Sequence, residues 1–122
     1  MKSIIPLLLL FLLSSCYKTL TMEGFDKEKW NSSISECDTY RLEIAPLLLE
    51  KQDIILEGTQ NEVESLLGSA SEHELYQRNQ KFFHYRLTPN DECGDFKNIE
   101  FLSIRFNAIG LANEVQVMVR EN

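Results

Sequence analysis

The chain has no hydrophobic run long enough to cross a membrane. Spanning the hydrocarbon core takes about 20 apolar residues. The stretch from Ile4 to Leu13 falls well short of that and gives way to polar residues at Ser14. An excess of positive charge is also missing. Twelve Lys and Arg stand against 19 Asp and Glu, a formal net charge of −7. That balance argues against nucleic-acid binding, which depends on a cationic surface. There are only three cysteines, and Cys37 and Cys93 lack the paired Cys or His spacing of a zinc site. Histidine is limited to His73 and His84. Neither has a serine, cysteine or carboxylate at catalytic spacing, so both read as surface or packing residues. A glycine-rich phosphate loop and an HExxH pair are absent. Asp91, Glu92 and Asp95 surround Cys93 and offer the oxygen ligands calcium takes. They lack EF-hand spacing and read as solvated loop acids. These absences predict a non-enzymatic chain without metal or cofactor.

The N-terminus is where the sequence first becomes specific. Lys2 supplies a positive n-region and Ile4 to Leu13 an apolar h-region, so residues 1–15 read as a signal peptide. Ordinary secretory cleavage wants small residues at −1 and −3, and cleavage after Ser15 would place Leu13 at −3. Leu13-Ser14-Ser15-Cys16 instead resembles the lipobox of bacterial lipoproteins. That resemblance implies a diacylglyceryl group on the Cys16 sulfur, cleavage before Cys16 and acylation, commonly with palmitate, of the new amino group. Each buried methylene contributes about 0.8 kcal/mol, and two or three chains make a durable anchor where one does not. Tyr17 follows the cysteine, in place of the Asp that favours inner-membrane retention, which implies the outer membrane, facing the periplasm. With Cys16 lipidated, Cys37 and Cys93 remain in an oxidising compartment. A disulfide is the economical reading, and two free thiols are the alternative.

Residues 16–30 read as the lipidated N-terminus and its tether, with Tyr17 to Gly24 as linker and Phe25 to Ser33 already able to pack. Residues 31–122 read as one α+β domain. From Glu36 to Gln52, Tyr40, Ile44, Leu47 and Leu48 fall on one helical face, with Ser35 or Asp38 as cap. Pro46 either kinks this helix or occupies the first position of a restarted one. Thr59 to Glu62 is a capping box and opens a short helix, Gln60 to Leu67, that Gly68 ends. Three strands follow, over 81–87, 99–106 and 113–120, with a polar loop over 90–98. Helices followed by strands predict an ααβββ arrangement, two helices on one face of a three-stranded antiparallel sheet. Alternation turns Phe83, Tyr85, Leu87, Leu102, Ile104, Phe106, Val115, Val117 and Val119 inward. The outward set then holds Phe82, His84, Arg86, Phe101, Ser103, Arg105, Gln116, Met118 and Arg120. This predicts a cationic patch with exposed aromatics, suited to a protein partner, or else a face covered by the Phe25 to Trp30 lead-in.

Gly58, Thr59, Glu62, Val63, Leu66, Leu67 and Gly68, then strands ending in Phe106 to Gly110 and Val115 to Val119, resemble the SmpA/OmlA (BamE-like) small-lipoprotein domain. The resemblance spans Gln52 to Arg120. It implies an ααβββ fold and a non-catalytic, lipid-anchored scaffold that binds an envelope protein, in outer-membrane protein assembly or envelope maintenance. The cysteine pair and the Phe25 to Trp30 lead-in depart from that pattern and look more like small lipoproteins of Bacteroidetes-type bacteria. The helix-helix-sheet order is also similar to the β-lactamase-inhibitor-protein fold, which implies an inhibitor or ligand-binding module as the alternative.

Overall fold

The computed structural model describes residues 19–122. The expected signal peptide and Cys16 lie outside the described residues. The order is α1 (Lys27–Ser33), α2 (Tyr40–Glu50), α3 (Gln60–Leu67), β1 (Glu72–Tyr76), β2 (Gln80–Arg86), β3 (Asn98–Phe106) and β4 (Ala112–Glu121). The class is α+β as expected, with three α-helices and four strands among the described residues instead of two and three. The strands form one antiparallel sheet in the order β1-β2-β3-β4. No helix among the described residues is long and apolar enough to cross a membrane.

Packing starts ahead of residue 31. Met22 and Trp30 are buried, and the Leu20 amide donates to the Ser65 hydroxyl at 2.9 Å. The lead-in therefore lies against the helices, and much of the expected linker is part of the folded body. Asp26 caps α1 by accepting from the Lys29 amide. The stretch expected to be helical from Glu36 begins only at Tyr40. Cys37 sits at φ +58°, a left-handed conformation that interrupts a helix. Asp38, one of the two expected caps, accepts from the Tyr40 amide at 2.7 Å.

Pro46 lies inside α2. It is exposed, on the same face as Glu43 and Glu50, where water can satisfy the carbonyl that proline leaves without a donor. The deepest face of α2 is Arg41, Ala45 and Leu48. Tyr40, Ile44 and Leu47 of the expected stripe pack only partly. In α3 the capping box forms as expected, with the Thr59 hydroxyl accepting from the Glu62 amide and the Glu62 carboxylate from the Thr59 amide.

A single core joins Trp30, Ala45, Leu48, Val63, Leu66 and Leu67 to Phe83, Tyr85, Leu87, Leu102, Ile104, Phe106 and Val115 on the inner sheet face. Val117 packs at its margin, but Val119 is 61% exposed. Val119 keeps the inner side of the strand where alternation places it, but it lies beyond the edge of the core and is not buried as expected. Two buried polar tips serve the end of α3. Trp30 Nε1 donates to the Leu67 carbonyl at 2.9 Å and the Tyr85 hydroxyl to the Gly68 carbonyl at 2.8 Å. These acceptors belong to the end of a helix, where carbonyls lack partners within the helix. Cys37 and Cys93 form a disulfide with Cα atoms 5.4 Å apart. It joins the α1–α2 connection to the β2–β3 loop.

Candidate functional site

The sheet face turned away from the helices carries the residues that alternation grouped as a partner-binding surface. Register aligns Glu72 of β1, His84 of β2, Ser103 of β3 and Gln116 of β4 side by side. Strand β1 is the element that changes this face. It brings Glu72, Glu74 and Tyr76 beside residues that would otherwise meet water.

His84 is the centre of the arrangement. Its Nδ1 lies 2.6 Å from Ser103 Oγ and its Nε2 2.7 Å from Glu74 Oε1. The expectation that no serine or carboxylate accompanies a histidine is therefore corrected, since pairing across strands supplies both. Phe82 stacks on the His84 ring at 5.3 Å, and Tyr76 meets Phe82 edge-on at 5.4 Å. Phe101 meets His84 edge-on at 6.1 Å, and the Arg120 guanidinium lies 4.5 Å over the Phe101 ring. The result is a continuous ladder from Tyr76 to Arg120. Phe82, His84, Phe101 and Ser103 are all buried. The expected exposed aromatics are thus covered, by this ladder and not by the lead-in, which packs on the helical side.

The expected cationic patch is neutralised within the chain. Arg120 makes a two-pronged contact with Glu72 at 3.0 and 3.1 Å, linking the fourth strand to the first. This contact holds the Glu72 carboxyl below its ordinary range. Arg105 donates to Glu114 at 2.8 Å and to Gln80 at 2.7 Å. Arg86 turns onto its own loop, donating to the carbonyls of Thr88 and Pro89 and to Asp91. Of the expected surface, Met118 and Arg120 stay exposed. His73 packs against Phe83, with ring centres 4.5 Å apart.

Glu74, His84 and Ser103 match the residue types of a hydrolytic triad, but their placement does not favour that chemistry. A triad serine must reach a substrate carbonyl, and Ser103 is fully buried. A recess of about 150 Å³ above the ladder is lined by Glu74, His84, Phe101, Met118, Val119 and Arg120. Pockets for small molecules usually enclose about 300–1,000 Å³, so this one suits a few waters. No group of three or more His, Cys, Asp or Glu converges as a metal site among the described residues. The buried Arg41 is a further feature that sequence reading missed. It donates to the carbonyls of Trp30 at 2.7 Å and Arg86 at 2.9 Å, and lies 4.4 Å over the Trp30 ring. An arginine reads as a surface residue, and no motif marked this one.

Fold and site together define a disulfide-bridged α+β domain whose second sheet face is closed by its own aromatic and charged side chains. Compared with protein-family models, curated proteins and solved structures, the chain matches none.

Proposed function

We propose that this chain is a non-catalytic, lipid-anchored protein of the cell envelope that acts as a protein-binding scaffold, in outer-membrane protein assembly or envelope maintenance. The observation that carries the reading is the pairing of Cys37 with Cys93. A structural disulfide belongs to an oxidising compartment. It also leaves Cys16 as the one cysteine outside the bridge, two serines after an apolar run with signal-peptide character. The partner surface in this reading is the rim of the closed sheet face. Leu75 and Tyr76 of β1 are 85% and 45% exposed, with Leu75 on the opposite side of the strand from the ladder. Exposed apolar and aromatic residues beside a charged rim favour protein interfaces.

The test follows a clickable palmitate analogue in cells. The native chain takes up label and fractionates with membranes, whereas Cys16→Ser does neither. An unlabelled native chain with an intact N-terminal extension overturns the anchor. A photo-crosslinking residue at Tyr76 is expected to capture an envelope protein. A clean blank from that position removes the β1 rim as partner surface.

A further inference from the structure

We infer that the outer edge of β4 pairs with the same edge of a second copy of this chain, about a two-fold axis through Val117. The inference starts from hydrogen-bond parity. The Asn122 amide donates to the Lys97 carbonyl, and the Leu87 amide to the Glu100 carbonyl. In an antiparallel pair, bonded positions recur every second residue. Residues 114, 116, 118 and 120 therefore bond to β3. Val115, Val117, Val119 and Glu121 turn their amide and carbonyl groups to the open edge. Strand β4 is terminal in the sheet. Among the described residues, the backbone contacts on its outer side stop at Ala112, whose carbonyl and amide meet Glu57 and Gly58.

Sheet edges are commonly blunted by charged side chains, lysine above all, by proline, by bulges or by being very short. Strand β4 is the longest of the four, at 10 residues, and contains neither lysine nor proline. Its one irregularity lies at the start, where register shifts opposite Arg105 and Phe106. Its second half ends in the charged Arg120 and Glu121 but also carries exposed apolar residues, Met118 at 40% and Val119 at 61%.

The sequence of β4 is self-complementary in one register. A two-fold through Val117 puts Val117 opposite Val117, Val115 opposite Val119, Gln116 opposite Met118 and Glu114 opposite Arg120. Val115, Val117 and Val119, which have free edge groups, then face one another across the seam, and Glu121 faces Asn113. The inner side becomes a row of β-branched pairs, which suit cross-strand packing, and Val119 is covered. On the outer side each Arg120 meets a Glu114 of the second copy. Within one chain Glu114 already holds Arg105, and Arg120 already holds Glu72. The pairing thus extends these into a line of alternating sign, Arg105, Glu114, Arg120, Glu72. A two-residue slip spoils the match. Centring on Gln116 sets Val119 against Asn113 and Glu114 against Met118. Centring on Met118 sets Val115 against Glu121 and loses both charge pairs.

The register is read by single cysteines in the full-length protein in its membrane, oxidised mildly, with the native chain as control for Cys16. Residues directly opposite at bonded positions lie about 5.5 Å apart between Cα atoms, within disulfide range. Val117→Cys is expected to run at doubled mass on a non-reducing gel. Val119→Cys alone is expected to match the control, because its counterpart sits four residues away, about 14 Å along the strand. The double variant Val115→Cys, Val119→Cys restores the dimer. No dimer from Val117→Cys, equal dimer from Val119→Cys, or an adduct of Val117→Cys with a different protein overturns the proposal.

Discussion

Tyr85 and Arg41 both flank the Trp30 ring, and burial shifts their protons in opposite senses for stability. Burial, reinforced by Glu64, raises the Tyr85 hydroxyl above its ordinary 10. Burial pulls the Arg41 guanidinium below its ordinary range, to about 10, so both keep their protons at neutral pH. Above about pH 10 the unfolded chain loses the tyrosine proton while the folded chain keeps it, so this contribution to stability fades as pH rises. Arginine acts the other way. Above about pH 10 the unfolded chain binds more protons at Arg41 than the folded chain does, and stability gains with pH. The native alkaline slope is then a partial cancellation. Tyr85→Phe is expected to lose about 1 kcal/mol at neutral pH, from the Gly68 hydrogen bond, and to fall less steeply above about pH 10. Urea midpoints across that range check it, and parallel slopes in both proteins would refute it. At this scale the sequence was only partly legible. Alternation placed His84 and Ser103 on one face, but an arginine in a core has no signature, and Glu74 lay in a stretch without an assigned element.

Among the elements, α3 was the most legible because its start and stop are chemical. Thr59 and Glu62 encode the cap, and Gly68, at φ +76°, encodes the end. Thr59→Ala is expected to lower stability by about 1 kcal/mol, read as a shifted urea midpoint with an unchanged slope. A shift of zero would mean the cap is compensated elsewhere. Strands β2, β3 and β4 were legible from alternation because one side of each meets the core. Strand β1 was not, because all five of its residues are exposed and no period of two survives. Its turn into β2 hides as well. Arg78 and Asn79 adopt positive φ without any glycine to announce it. Strand β1 matters most among the elements the sequence hides, since it carries Glu72, Glu74 and Tyr76, the residues that close the second face. The helix that periodicity predicts from Glu36 starts only at Tyr40 for a similar reason, as nothing around Cys37 signals its left-handed backbone.

For the whole molecule, the disulfide ties the loop beneath the helices to the loop beyond β2, across 56 residues of sequence. By the chain-entropy model a closure of that length contributes about 4 kcal/mol. Cys93→Ser is expected to lose up to that amount, and reductant to bring the native protein down to the level of the variant without affecting the variant itself. Equal urea midpoints for the oxidised native protein and the variant would deny the bridge its role. The early onset of packing has a different consequence. With Cys16 as the proposed anchor, four residue steps separate it from Leu20, whose amide is already bonded to Ser65. A peptide of that length reaches at most about 14 Å. With that anchor, so short a leash would hold the body close to the lipid headgroups, within reach of companions seated at the bilayer surface.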